Sequence, residues 1–155
     1  MTNNDILRRL RYALDISDPA MIKIFKLFEC EIDQSGLTAL LKKEDEEGYV
    51  DCSDKVMELF LDGLIVHRRG RKETNPGQVK KSDSSLTNNT ILKKLRIALE
   101  LKEDDMIGIL KLAGVNISGH ELTALFRKAG HRNYKECGDQ FLRNFLKGLT
   151  VRYRG

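Results

Sequence analysis

Three cysteines and three histidines are the residues of this 155-residue chain that could carry thiol or metal chemistry. They are Cys30, Cys52, Cys137, His67, His120 and His131. A nucleophilic cysteine needs a neighbour that stabilises its thiolate, and structural zinc needs closely spaced ligand pairs. Neither pattern occurs here. We therefore predict that the cysteines pack in the core and that the chain holds no metal.

Catalytic motifs are also missing from the sequence. It has no glycine-rich phosphate loop, no nucleophile elbow and no His–Glu zinc motif. The acidic run Glu44–Glu47 lacks the alternating oxygen ligands and glycine turn that calcium requires. We expect a protein that is not an enzyme and that binds no cofactor.

The most informative feature is an internal duplication. A shift of 85 residues aligns residues 3–70 with residues 88–155 without a gap, and 29 of the 68 aligned positions are identical. The stretch between the copies contains Asn75, Pro76 and Gly77 with few apolar residues, which is typical of a solvated linker. We predict a first helical repeat over residues 1–70, a polar linker over 71–87 and a second helical repeat over 88–155.

Each copy shows four segments with helical periodicity and no alternating strand pattern, which predicts an all-α fold. Helix 1 is expected to begin at an asparagine N-cap, at Asn3 or Asn4 and at their counterparts in the second copy. Helix 2 is expected to have Asp18 as its N-cap and Pro19 as its first residue. The apolar residues of helix 2 lie nearly all round it, which predicts a central, buried helix.

The third and fourth helices of each copy have different signals. Ser118 and Glu121 form a capping box, which predicts the start of helix 3. Helix 4 carries an apolar stripe that includes the cysteine, and Gly63 or Gly148 is a candidate left-handed cap. If the helices end there, the last segment of each copy is extended and the two segments can pair as a short ribbon, a question that periodicity leaves open.

Units of this size bury little surface alone, so we expect the two copies to pack together with approximate two-fold symmetry. The alternative is two separate domains on a linker.

Cationic residues provide a candidate surface for nucleic acid. Arg8, Arg9 and Arg11 on helix 1 are matched by Lys93, Lys94 and Arg96. Helices 2 and 3 of the second copy resemble a helix-turn-helix, whose second helix bears His120, Thr123, Arg127 and Lys128. The first copy has acidic residues in the same turn, which would repel phosphate. A helical hairpin within a bundle is the competing interpretation, and we favour it.

Small residues on helix 3 indicate a protein contact. Thr38–Ala39 and Thr123–Ala124 lie outside the leucine stripe in both copies. We interpret them as a contact between the copies or with a partner protein.

No apolar run reaches the ~18 residues of a membrane span, and the chain starts without a secretory signal pattern. Together with the odd number of widely spaced cysteines, these features predict a cytoplasmic protein that does not bind membranes.

The repeated signature resembles a known family. The segments that carry it are NDILRRLRYALD, GLTALLKK and FLDGLIVHRRG. They resemble the YehS-like family of small bacterial cytoplasmic proteins, which are built from a tandem domain of unknown function. The resemblance implies a bacterial, all-helical, duplicated fold, and it implies no activity, catalytic residue or cofactor.

Three functions therefore remain open. The leading hypothesis is a non-enzymatic binding or adaptor protein whose partner is a protein. The alternatives are a nucleic-acid-binding regulator and a small-molecule sensor between the repeats.

Charge is divided unequally between the copies. Residues 3–70 carry 10 basic and 14 acidic side chains, a charge of −4, while residues 88–155 carry 13 and 7, a charge of +6. We expect this polarity to attract the copies to each other or to favour self-association, and to confine an anionic ligand mainly to the second copy and the linker.

Overall fold

A computed structural model describes residues 1–70 and 86–154. These ranges contain eight helices and no strand, which confirms the all-α prediction. The first repeat contains α1 (Asn3–Ala13), α2 (Asp18–Lys26), α3 (Gln34–Leu41) and α4 (Asp54–Arg69). The second repeat contains α5 (Asn88–Ala98), α6 (Glu103–Leu112), α7 (Gly119–Leu125) and α8 (Asp139–Arg154). Most of the predicted linker, residues 71–85, lies outside the described residues.

Hydroxyl side chains cap the helices. The hydroxyl oxygens of Thr2 and Thr87 accept backbone N–H groups at the starts of α1 and α5, at 3.1 and 3.2 Å. The predicted asparagine caps are therefore wrong, and Thr87, the last residue of the predicted linker, is the N-cap of α5. Ser17 rather than Asp18 is the N-cap of α2. The capping box at Ser118 is confirmed.

Helices α4 and α8 continue through the glycines that were candidate caps. Both have 16 residues and end at Arg69 and Arg154, so the extended segments and the ribbon between them do not form. Gly63 allows the backbone of α2 to approach, because a Cβ atom there would collide with the carbonyl oxygen of Ile24. Gly148 has the same relation to Ile109 on α6.

The two repeats pack through equivalent helix pairs, α1 with α8 and α4 with α5. The members of each pair run parallel. The amino group of Met1 pairs with Asp139 at the start of α8, and Arg154 at its end bonds the carbonyl oxygen of Tyr12 near the end of α1. The two equivalent pairs agree with the expected approximate two-fold symmetry and exclude two separate domains.

One hydrophobic core extends through both repeats. Its central helices are α4 and α8, because each packs on helix 2 of its own repeat and on helix 1 of the other. The prediction that α2 is the central helix is wrong, since the main contacts of α2 are with α3 and α4 of its own repeat. Among the described residues, no helix is long and apolar enough to cross a membrane.

Candidate binding surfaces

The asparagine that follows each repeat's first helical residue holds the loop before helix 4. The side-chain amide of Asn4 donates to the carbonyl oxygens of Leu40 and Val50, both at 2.9 Å. Its carbonyl oxygen accepts the N–H of Cys52 at 2.9 Å and the hydroxyl of Tyr49 at 3.1 Å. Asn4 is fully buried. Its role is therefore to satisfy loop backbone groups that would otherwise be buried without partners.

Asn89 repeats this arrangement in the second copy. Its amide donates to Leu125 and Lys135, both at 2.9 Å, and its oxygen accepts the N–H of Cys137 at 2.8 Å. The preceding residue, Asn88, donates to Asp139 at 2.8 Å, as Asn3 does to Asp54 in the first copy. The polar residues that the copies share at these positions thus build the fold.

The matched arginines at the ends of helix 4 join the repeats. Arg69 donates to the carbonyl oxygen of Ile97 at 3.3 Å and lies 3.6 Å from a carboxylate oxygen of Glu100. Arg154 makes the equivalent contacts with Tyr12 and Asp15 in the other repeat. Each arginine reaches the carboxyl end of helix 1 of the other copy, where the helix dipole favours a cation.

The cysteines are free thiols inside or near the core. Cys52 and Cys137 are 2% and 3% exposed, which confirms the packing prediction, although each precedes helix 4 rather than lying on it. Burial raises the pKa of Cys52 to about 12 and that of Cys137 to about 11. Both therefore stay protonated and weakly nucleophilic at neutral pH. Among the residues described, no group of three potential metal ligands occurs.

Several cations that the sequence assigned to a binding surface are engaged inside the first repeat. Arg8 pairs with Asp5 and donates to the carbonyl oxygen of Lys42 at 2.9 Å. Arg11 donates through two nitrogens to Asp18, at 3.0 and 2.7 Å. Neither guanidinium presents its full charge to a ligand.

Two cations of α5 are engaged in the same way. Lys94 pairs with Asp62, whose side chain is only 8% exposed. Arg96 donates to the carbonyl oxygen of Leu101 at 3.0 Å, and its guanidinium lies 4.7 Å from the centre of the Phe126 ring. Arg9 and Lys93 are the cations of the predicted helix-1 surface that face open grooves.

The helix bounds give the helix-turn-helix interpretation of α6 and α7 little support. Helix α7 has only seven residues, and Arg127 and Lys128 follow its end rather than lying on it. The hydroxyl of Thr123 donates to the carbonyl oxygen of Gly119 at 2.8 Å, within the helix. Of the four residues predicted to contact DNA, only His120 both lies on α7 and has an exposed side chain without an intrahelical hydrogen bond.

Instead, the residues after α7 form a cleft with α5. Lys93, Arg127 and Lys128 line it together with Thr90 and Tyr134, and its volume is about 240 Å³. The Nε atom of Arg127 is buried and has no hydrogen-bond partner among the described residues. We call this site the α5–α7 cleft.

In the first repeat, an acidic residue neutralises the cation that corresponds to Lys93 of the cleft. Asp5 pairs with Arg8 there, whereas the second repeat has Thr90 and Lys93 at those two positions. The α5–α7 cleft is therefore cationic in the second repeat, and the equivalent position of the first repeat is not. This is the repeat in which the charge distribution predicts an anionic ligand, and binding of such a ligand stays a prediction.

Helix 3 of each repeat packs mainly on helices of its own repeat. The hydroxyls of Thr38 and Thr123 donate to carbonyl oxygens four residues earlier, at 2.9 and 2.8 Å. The carbonyl oxygens of Ala39 and Ala124 each accept an N–H from the loop before helix 4. Since α3 packs on α1 and α2 of its own repeat, a contact between copies at these residues is not formed, and a partner contact there stays a prediction.

A second open site lies between α1 and α8. Arg9, Arg143 and Lys147 line this α1–α8 groove, with Leu146 and Val151 as apolar neighbours, and its volume is about 450 Å³. Arg143 and Lys147 are not among the residues that the sequence predicts for a binding surface, because the two copies differ at both positions. The available signal was a difference: Lys147 stands where the first copy has Asp62.

The fold and these sites define an all-α protein built from a tandem four-helix repeat, with its open cationic sites lined mainly by the second repeat. The chain belongs to the family described as protein of unknown function (DUF1456), whose model matches residues 3–70 and 88–155. It is similar to the uncharacterized protein YehS of Escherichia coli (strain K12), with 43% identity over 152 residues, covering 98% of this chain and 96% of the relative. No solved structure matches the chain. The expected membership of a YehS-like tandem family is confirmed.

Proposed function

We propose that the protein is a non-enzymatic binding or adaptor protein that recognises another protein. The observation that carries this proposal is the contrast between shared and unshared positions. The polar residues that the repeats share hold loops and helix pairs together, as Asn4 and Arg154 do. The unshared positions give the two repeats opposite charges, −4 and +6. One scaffold thus presents two chemically different surfaces.

The competing classes have less support. The buried thiols are poor nucleophiles, and the side chains of both repeats form one hydrophobic core where a small-molecule sensor needs a polar-lined cavity. A cytoplasmic location is part of the proposal, since all three cysteines are free thiols.

An affinity capture tests the proposal. The tagged full-length chain is incubated with lysate of its native bacterium, with and without nuclease. A discrete protein should be retained in both samples, and the purified pair should form a complex of fixed stoichiometry by size-exclusion chromatography with light scattering. A control bait of equal net charge and unrelated fold identifies proteins that bind charge alone. Loss of every captured protein after nuclease treatment contradicts the proposal.

Nucleic-acid binding is a second candidate, favoured by the α5–α7 cleft. Three cations surround this cleft, and the buried Nε atom of Arg127 lacks a partner among the described residues. Phosphate oxygens are suitable acceptors for such a guanidinium.

A mobility-shift assay over a salt series tests this candidate. Replacing Arg127 and Lys128 by Gln should weaken binding and lower the slope of log K against log salt by roughly 0.7–0.9 for each lost phosphate contact. The matched control replaces Lys42 and Lys43, the equivalent residues of the acidic first repeat, and should leave the slope unchanged. Absence of any shift at low salt removes the candidate.

A further inference from the structure

The approximate symmetry of the molecule is broken at one pair of charges. Between α4 and α5, the carboxylate of Asp62 accepts a hydrogen bond from Lys94, and the two side chains are 8% and 18% exposed. At the equivalent positions between α1 and α8 stand Lys147 and Arg9. In the α1–α8 interface Lys147 replaces the acidic member of the pair. Two cations therefore face each other there, and neither has the carboxylate that Lys94 has in the α4–α5 interface.

The α1–α8 groove also lacks a replacement for that acid. Arg143 donates to the neutral side chain of Gln140 at 2.7 Å. Within the described part of the chain, none of the three cations of the groove forms an ion pair. Asp139, at the start of α8, uses its two oxygens for Asn88 and the amino group of Met1, and it acts on Arg143 only through its charge, without a hydrogen bond.

Apolar surface accompanies these cations. Val151, beside the groove, is 40% exposed, whereas its counterpart Val66 is 9% exposed. Tyr12, near the end of α1, is 57% exposed, and the guanidinium of Arg154 holds it by lying 4.1 Å from the ring centre. Tyrosine and arginine side chains are enriched where protein partners bind most strongly, and the cost of ordering them is reduced when they are held in place beforehand.

We propose that the α1–α8 groove binds an acidic segment of a partner protein, which places a carboxylate where Asp62 lies in the other interface and apolar side chains on Val151 and Tyr12. This inference rests on the proposed protein-binding function and names the surface and the chemistry of the partner. Lys147, Arg9 and Arg143 supply the positive charge.

Carboxylates at the two ends of the groove favour a discrete acidic side chain over a nucleic-acid strand. Asp139 marks one end and is 52% exposed, and Asp15 marks the other and is 87% exposed. A phosphate strand needs cations along its whole length, and at both ends of the groove the cation is already paired with a carboxylate. An acidic side chain at the centre of the groove needs only Arg9, Arg143 and Lys147.

The test measures binding of a defined probe by fluorescence anisotropy. The probe is a labelled 14-residue peptide with Glu and Leu at helical spacing, a length of roughly four turns. Lys147→Asp, which restores the acid of the other interface, should weaken peptide binding at least tenfold. Lys111→Asp changes the net charge equally on the exposed face of α6, and it should weaken binding less than twofold. Backbone amide shifts on peptide addition should concentrate on α1 and α8.

Three results overturn the inference. The peptide fails to bind at low ionic strength, the two variants weaken binding equally, or a single-stranded 12-mer DNA binds the groove more tightly than the peptide and depends on Lys147. Affinity capture separates this failure from failure of the proposed function. A partner that the Lys147→Asp bait retains as well as the unaltered bait does binds elsewhere, which contradicts only the groove. If neither bait retains any protein, the adaptor function itself is contradicted.

Discussion

At the scale of single residues, the buried amides of Asn4 and Asn89 show how a polar side chain becomes structural. Each amide satisfies one carbonyl oxygen at the end of helix 3, one carbonyl oxygen of the loop that follows and at least one loop N–H group. Its length and its two chemically different ends suit this task, since it must donate and accept at once. The sequence placed both asparagines correctly at the start of a helix, where the same residue type commonly serves as a cap. Only the packing of the loop distinguishes the two roles.

Replacing Asn4 by Ala should lower the free energy of unfolding by about 2–4 kcal/mol, because two carbonyl oxygens and an N–H group lose their buried partner. Urea unfolding followed by circular dichroism measures the change. Asn133→Ala, in the exposed loop before α8, is the control and should change stability by less than about 0.5 kcal/mol. Equal effects of the two substitutions would show that the buried amide does not hold the loop.

At the scale of secondary structure, Gly63 and Gly148 lie inside helices that local signals predict to end there. A glycine late in an apolar helix is a reasonable helix end when only local signals are available. Here the glycine lies inside the helix because another backbone crosses it, and the carbonyl oxygen of Ile24 or Ile109 occupies the space of a side chain. The information that decides between these interpretations lies about 40 residues away in the chain.

Gly148→Ala should destabilise the protein by about 1–3 kcal/mol, because the added methyl group forces α6 and α8 apart. Gly108→Ala provides a matched control within α6, where a new Cβ meets no atom within 4 Å. That control should stabilise the protein by about 0.5–1 kcal/mol through the better helix propensity of alanine. Thermal unfolding distinguishes the opposite signs. A neutral or stabilising Gly148→Ala contradicts the close crossing.

At the scale of the whole molecule, apolar packing and ion pairs join the repeats. Among residues 1–70 and 86–154, four ion pairs cross between the copies, and the acid belongs to the first repeat in Asp62–Lys94 and Asp15–Arg154. It belongs to the second repeat in the pairs formed by Glu100 with Arg69 and by Asp139 with the amino terminus. These pairs are balanced in direction, so they do not themselves reflect the opposite net charges of the copies, and the expected attraction between the copies stays a prediction. The excess charge of each repeat remains available on its outer surface.

Carboxylates with lowered pKa values predict how the whole molecule responds to acid. The pKa of Asp139 is lowered by its bond from Asn88 and by the amino terminus, and that of Asp105 by the backbone N–H of Lys102 and by Arg152. In the unfolded chain these groups take up protons at higher pH than in the folded protein. Stability should therefore be complete above the ordinary carboxyl pKa of about 4 and should fall as the pH drops below it.

Urea midpoints measured between pH 7 and pH 2.5 test this dependence. Asp139→Asn should reduce the loss of stability in acid, because the substituted group no longer titrates. A midpoint that stays constant down to pH 3 contradicts the prediction.

The duplication, the eight helices and the start of α7 follow from the sequence, because repeats, helical periods and capping boxes depend on residues that are near each other or repeat at a fixed spacing. Which helices pair, which cations are neutralised and which stay open follows from the packing of the folded chain. These outcomes depend on residues far apart in the chain, such as Asp62 opposite Lys94 and Met1 beside Asp139. A charge acts on a ligand only when no distant residue neutralises it, and packing alone brings such residues together.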